Sequence, residues 1–314
     1  MICGIFVIAL AGAAVNIFCH NKIEDIPIRS WAYQLQNIDP ALIARSSADL
    51  IIIDYSKDGT EKGAFTPQAV AEMQRKPDGS RRLLLAYLSI GEAESYRFYW
   101  QSAWQTTPPD WLGEENPDWA RNYNVRYWEE DWQNRIFGQP GSYLDKVMAA
   151  GFDGVYLDRV DAFLFWADRH PRAAADMVEF VERISTYANL RNSNFAVIAQ
   201  NGEELLEFPR FRQAIDAIAK EDLFFGTKGD GAANTQEQIC WSLRFLQLAQ
   251  KDKRPVLVVE YLSDEATREA AEGQFRTYGL IGTFAPRQLD RLVDGPPSGD
   301  GASIKMPGSA QCGS

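Results

Sequence analysis

The densest run of groups able to do chemistry is Gly151-Phe152-Asp153-Gly154-Val155-Tyr156-Leu157-Asp158-Arg159-Val160-Asp161. A Gly turn opens it, a short apolar run follows, and Asp158 stands where that run ends, with Asp161 close behind. A carboxylate at the end of a buried strand is costly to desolvate, so it needs a partner or a purpose. Asp54, Glu92, Glu221 and Glu260 close or follow other apolar runs in the same way. One such acid reads as half of a salt bridge to a loop Arg. Five at the same end of one barrel point to glycoside hydrolysis, which needs one ionised carboxylate and one that holds a proton near neutral pH.

Asp158 is the expected ionised group. Tyr156 precedes it on the same strand face, and Arg159 is placed to favour its charged form. Glu221 is the expected acid, because the apolar residues 215–219 before it and Leu223-Phe224-Phe225 after it should raise a carboxyl pKa by desolvation. Lys220 is adjacent, but on a strand it should point the other way. Asp222 competes for either role. Tyr87, Ser89 and Glu92 lie along one strand and its loop, with Arg97 as a partner for one of the acids. Gln200 and Asn201 end another strand with two amides suited to sugar hydroxyls or a carboxylate. Glu203 and Glu204 sit near a helix start, where carboxylates favour the dipole, and are read as structural.

These residues need a scaffold, and strand-like and helix-like segments alternate along the chain. Short apolar runs bounded by Gly, Pro or charge mark strands at 31–35, 50–54, 83–88, 155–158, 195–200, 215–220, 255–260 and 279–284. Amphipathic helices fit at 67–74, 173–188, 236–250 and 265–278, with a shorter one at 143–150. Eight strands with interleaved helices predict an α/β fold, a (β/α)8 TIM barrel forming a single domain over 26–294. A doubly wound open sheet is the alternative, but no Gly-rich dinucleotide loop follows the first strand. The interval between the third and fourth strands is long and carries Trp100, Trp104, Trp111, Trp119, Trp128 and Trp132, six of the nine Trp. This aromatic-rich insertion is either a substrate platform or a small core holding itself together.

The ends differ from the body. Residues 2–18 are nearly all apolar and 1–22 read as a signal peptide or, if uncleaved, an N-terminal anchor. Residues 295–314 are Pro/Gly/Ser-rich and read as a disordered tail. The chain of 314 residues has a net charge of −11 and no Lys/Arg cluster, which argues against nucleic acid as a partner. An acidic surface suits solubility, and also a cationic polymer such as an amino-sugar polysaccharide. Cys3, Cys19, Cys240 and Cys312 form neither a disulfide framework nor a metal-ligand spacing, and two His leave little for a zinc site or a Ser-His-Asp triad. No cofactor and no metal are expected. The chain is expected to be a monomer, secreted or periplasmic or at the cell surface, meeting a membrane only through an uncleaved leader.

Several of these stretches resemble a known set. Tyr33-Gln34-Leu35-Gln36, Ile53-Asp54-Tyr55, Tyr87-Leu88-Ser89-Ile90-Gly91-Glu92-Ala93-Glu94, Arg126-Tyr127-Trp128, the run 151–161 and Lys220-Glu221-Asp222-Leu223-Phe224 are similar to glycoside hydrolase family 114. Characterised members are endo-α-1,4-polygalactosaminidases. The resemblance spans about Trp31 to Arg287 and implies a (β/α)8 barrel and an exported enzyme that cuts α-1,4-linked galactosamine polymers. It maps the family's strand-four aspartate to Asp158, as nucleophile, and its strand-six glutamate to Glu221, as acid/base. The similar arrangement in α-galactosidase barrels favours retention. Asp54, Tyr87, Ser89, Glu92, Tyr156, Asp161, Asn201, Asp222 and Glu260 are then the expected substrate-binding shell. A barrel that binds glycan without cutting it is the alternative.

Overall fold

The computed structural model describes residues 27–297. The apolar leader and most of the Gly/Pro/Ser-rich tail lie outside the described residues. Strand β1 (Trp31–Gln34), helix α1 (Pro40–Arg45), β2 (Leu50–Ile53), α2 (Pro67–Met73) and β3 (Leu83–Ser89) begin the alternation. An insertion follows with β4 (Glu92–Glu94), β5 (Leu112–Glu115), β6 (Asn122–Val125) and α3 (Glu130–Ile136). The alternation resumes with α4 (Tyr143–Ala150), β7 (Gly154–Asp158), the one-turn α5 (Phe163–Trp166), α6 (Ala173–Arg191), β8 (Ala196–Gln200), α7 (Pro209–Ala214) and β9 (Ala217–Glu221). A hairpin of β10 (Phe225–Gly226) and β11 (Gly229–Ala233) then leads into α8 (Gln236–Lys251), β12 (Val256–Glu260), α9 (Glu265–Tyr278) and β13 (Ile281–Phe284).

Local chemistry explains several boundaries. Pro40 opens α1 behind Asp39, whose carboxylate accepts the Ala41 N–H at 2.9 Å. Thr235 and Gln238 cap α8 reciprocally. Gly151, with φ at +88°, ends α4 and turns the chain into β7.

Eight strands pair in parallel in the order β1-β2-β3-β7-β8-β9-β12-β13. The seam between the first and last is closed by side chains: the Trp31 indole N–H donates to the Ile281 carbonyl at 2.8 Å, and the Thr283 hydroxyl donates to the Trp31 carbonyl at 2.7 Å. The sheet is the (β/α)8 barrel expected from the alternation. Period-2 alternation sorts every strand into two cores. Tyr33, Ile52, Leu85, Tyr156, Ala219 and Val259 face into the barrel, while Ile51, Leu84, Val155, Ile218 and Val258 pack under the helices. Small residues on one side make room for large ones on the other. Ala196, Ala217 and Ala219 concede the space filled by Trp31, Tyr33 and Tyr156, and Tyr33 and Tyr156 lie with ring centroids 5.2 Å apart.

Strand ends differ from expectation by a residue or two, and at one place this matters. The Asp216 carboxylate accepts the Val197 N–H at 2.8 Å below the strand, so the sixth barrel strand runs 217–221 and Glu221 is its last residue. Among the described residues no helix is long and apolar enough to cross a membrane.

The insertion is mostly a small core of its own. Trp104, Trp111 and Trp132 are buried, and Trp100–Trp104–Trp111–Trp132 form a chain of ring contacts 5.0 to 5.2 Å between centroids. The Trp132 indole N–H donates to the Ile90 carbonyl at 2.8 Å and ties this core to the top of β3. Only Trp119 of the six is largely exposed. A platform made of all these rings is therefore ruled out, because the rings already cover one another. Trp111→Ala should cost about 3–5 kcal/mol of stability and Trp119→Ala no more than about 0.5 kcal/mol; chemical unfolding of both variants against the parent protein checks this.

Candidate active site

The parity that sorts the cores also selects which strand-end acids enter the barrel. Asp158 follows Gly154 and Tyr156 on the inner face of β7, and Glu221 follows Ala217 and Ala219 on the inner face of β9. One strand, β8, separates them. Beneath both lie Tyr33 and Tyr156, whose hydroxyls are pushed well above their ordinary pKa by burial and by the charge of these two carboxyls.

Each acid has its own donors. Asp158 Oδ2 accepts the Tyr87 hydroxyl at 2.6 Å, and Oδ1 accepts the Arg159 N–H at 2.7 Å. Glu221 Oε2 accepts the Asn201 side-chain amide at 3.0 Å, while Oε1 accepts the Tyr261 hydroxyl. The residues just beyond β7, β8 and β9, Arg159, Asn201 and Asp222, all have positive φ, at 60°, 56° and 52°. Backbone in this region is costly for L-residues other than Gly, and such strain gathers at functional sites. The Arg159 turn is held from above by Gly91, where a Cβ would lie 2.2 Å from the Arg159 carbonyl oxygen.

Ion pairs surround the two acids. The Arg159 guanidinium reaches Glu92 at 3.0 Å and Asp161 at 3.8 Å, and Asn116 donates to Glu92 at 2.8 Å. Arg97 is buried between Asp54, at 2.7 Å, and Glu94. Arg287 forks onto Asp222 at 2.7 and 3.0 Å, reaches Asp230 at 2.7 Å, and lies 4.2 Å over the Tyr261 ring. Lys220 points out of the barrel to Glu203, at 3.1 Å, and Glu203 also accepts the Ser242 hydroxyl at 2.6 Å.

The electrostatics depart from expectation in one respect. Burial, reinforced by the nearby Glu221 charge, pushes Asp158 up to about 7, and Arg159 and Tyr87 only partly oppose it. Arg159 spends its charge on Glu92 and Asp161, so it does not hold Asp158 in the ordinary carboxylate range as the sequence led us to expect. Burial also raises Asp54 to about 6 against the pull of Arg97, and Glu260 to about 8 against the Phe224 N–H.

Of the expected residues, the structure brings Asp158, Glu221, Tyr87, Tyr156 and Asn201 together. Ser89 pairs with Asp158 in register and donates its hydroxyl to the Glu92 carbonyl at 3.1 Å. Asp54, Glu92, Asp161 and Asp222 ring this centre through their arginines. Glu260 is placed elsewhere. It is fully buried on the outer parity of β12, and its carboxylate accepts the N–H groups of Phe224 at 2.8 Å and Phe225 at 3.3 Å. That position holds the loop after β9 and points away from the barrel axis. Tyr261 takes the inward place that Glu260 was expected to fill; counting by twos from Leu257 and Val259 finds it in the sequence. Arg287 carries no such local signal. Among the described residues no group of three or more His, Cys, Asp or Glu side chains could hold a metal ion.

Residues 19–293 match the model of glycoside-hydrolase family GH114. The chain belongs to that family. It is 43% identical over 242 residues to an uncharacterised protein of Methanocaldococcus jannaschii, covering 74% of this chain and 66% of that protein. The chain thus spans just under two thirds of that relative's length. Its fold is similar to the glycoside hydrolase domain of PelA from Pseudomonas aeruginosa, with a TM-score of 0.66 at 17% identity over 85% of this chain and 98% of that one. It is also similar to Ega3 of Aspergillus fumigatus, solved in complex with galactosamine, with a TM-score of 0.61 at 17% identity over 85% and 96% of the two chains. The GH114 chain folds as a TIM barrel.

The raised pKa of Asp158 has a consequence for this GH114 barrel's stability. An ordinary Asp titrates near about 4, so folding takes up a proton between about pH 4 and 7, and the native state loses stability as pH rises through that window. Asp158→Asn lacks the titrating group. The variant should exceed the parent by on the order of a few kcal/mol at pH 8 and match it to within about 1 kcal/mol at pH 4, as read by denaturant unfolding at both pH values.

Proposed function

We propose that this protein is an endo-glycosidase that cuts α-1,4-linked, partly de-N-acetylated galactosamine polymers with retention. The observation that carries this reading is the pairing of Asp158 and Glu221 on the inner faces of strands two places apart, with β8 between them. They lie close enough for the charge of one to raise the pKa of the other over a shared tyrosine floor. Two strand steps separate the backbones by roughly 10 Å, and inward side chains from both sides narrow that gap toward the short carboxyl spacing of retaining enzymes.

In this reading Asp158 attacks the anomeric carbon and forms a glycosyl ester as the glycosidic C–O bond breaks. Glu221 gives its proton to the departing oxygen. It then takes one from the water that hydrolyses the ester, restoring both carboxyls. Tyr87 aims the Asp158 oxygen, and Asn201 and Tyr261 fix the Glu221 carboxyl. Asp54, Glu92, Asp161, Asp222 and Tyr156 shape the sugar site around them. The acidity of the chain and of this rim supports a cationic substrate. An ammonium group bound here would also lower the pKa of Asp158 and favour the ionised nucleophile. The resemblance to endo-α-1,4-polygalactosaminidases supports the polymer and its linkage. The apolar residues 2–18 support export.

Incubation of the protein with de-N-acetylated and acetylated α-1,4-galactosamine oligomers, followed by mass analysis of products, tests the substrate. Asp158→Asn and Glu221→Gln should each lower kcat by at least about 10³-fold; either variant at parental rate refutes its assigned role. The free-enzyme pH profile gives a further test. With Asp158 at about 7, kcat/KM should rise across neutral pH. Tyr87→Phe removes a hydrogen bond that lowers this pKa, so its acid limb should move to higher pH.

A further inference from the structure

The end of β9 has two sides, and the proposed chemistry uses one of them. On the other side a cavity of about 380 Å³ opens between Lys220, Asp222, the β10–β11 hairpin and the first turns of α8. Its size is within the range of sites for small ligands. Helices that follow barrel strands begin at the end where those strands finish, so α8 starts at the same mouth as Glu221. Trp241 lines the cavity with its side chain 40% exposed, although it is one of the largest apolar groups in the molecule. Phe245 packs edge-on against the ring at 5.1 Å, and the Arg244 guanidinium lies 5.7 Å from its centroid. An exposed, braced indole is a preformed platform for the C–H face of a sugar.

The polar lining favours a cation. Glu203, Asp222 and Glu237 face the space against the single ammonium of Lys220. Glu203 is engaged by Lys220 and Ser242, and Asp222 by Arg287, while Glu237 on the exposed first turn of α8 has no ion-pair partner among the described residues. The walls are fixed before any ligand arrives. Asn234 donates to the Asp222 carbonyl at 2.7 Å and to the Leu223 carbonyl at 3.0 Å, and its own carbonyl oxygen accepts from Thr227. The cavity is joined to the catalytic pair through Asn201, which donates to Glu221 and accepts from Lys220 at 3.5 Å.

We infer that this cavity is a second sugar subsite, on the leaving-group side of Glu221, which takes one amino-hexose unit with its ring on Trp241 and its ammonium toward Glu237. The inference rests on the reading of Glu221 as the group that protonates the departing oxygen. A polymer crossing the rim at β9 would be gripped on both sides of the cut. Long chains would then be better substrates than short ones.

Trp241→Ala and Glu237→Gln should both fold, because both side chains are exposed. With an α-1,4-galactosamine hexamer, Trp241→Ala should raise KM by roughly tenfold with kcat little changed, and should shift the product sizes. Glu237→Gln should raise KM for the de-N-acetylated hexamer and leave the N-acetylated hexamer unaffected. Parental KM and product pattern in Trp241→Ala would overturn the subsite. Should the parent protein cleave no galactosamine polymer, the substrate reading fails by itself. Calorimetric titration of galactosamine and glucosamine oligomers then reads the cavity separately. Binding heat that disappears in Trp241→Ala supports the subsite, and equal heat, or none, in both proteins overturns it.

Discussion

Two carboxyl groups, Asp158 and Glu221, are held at the inner wall of a barrel whose floor is aromatic, and the desolvation of that pair governs what surrounds it. Water is displaced from below by Tyr33 and Tyr156, so each acid must find donors in the protein. Tyr87 and the Arg159 N–H serve one, and Asn201 and Tyr261 serve the other. The guanidinium and ammonium groups nearby are bound to further acids instead. Arg159 goes to Glu92, Arg287 to Asp222, and Lys220 to Glu203. A guanidinium facing Asp158 directly would oppose the desolvation more strongly than these neutral donors do. Leaving the pair with neutral donors keeps one acid near neutrality, where a proton can move in either direction.

The same constraint gives the outer networks a structural meaning. Asp54–Arg97–Glu94 fastens the second strand's end to the insertion, and Arg287 fastens the loop beyond β13 to the loop beyond β9. Buried ion pairs of this kind contribute little net stability, since desolvation offsets their attraction, but they specify geometry. Here Arg287 fixes the loop that carries the αL residue Asp222, and Arg159, itself αL, is tied to Glu92. The Trp-rich insertion works toward the same end. Its rings pack on one another and bring Glu92 and Asn116 to the mouth, and aromatic density in the sequence reflects that internal packing more than contact with sugar.

The chain belongs to glycoside-hydrolase family GH114, and its barrel sets two carboxyl groups in different surroundings at one end. Structural likeness at 17% identity speaks to the fold alone.

Much of the barrel was legible in the sequence because its determinants are local. Apolar runs of strand length, amphipathic helices between them and capping residues such as Asp39 and Thr235 depend on near neighbours alone. The strand-end positions of Asp158 and Glu221 were legible too, since an acid closing an apolar run is conspicuous in one dimension. Parity could also have separated Tyr261 from Glu260, had the strand's register been known to the residue. What no linear reading could decide was which charges meet. Arg287 lies 65 residues from the Asp222 it clamps, Arg97 lies 43 from Asp54, and Arg159 turns from Asp158 to Glu92. Ion pairing and desolvation depend on distance and on how much water is excluded, and both are set only when the barrel closes. So the chain by itself determined the fold and set these acids at strand ends, while the tertiary structure decided how far burial raises Asp158 toward neutrality.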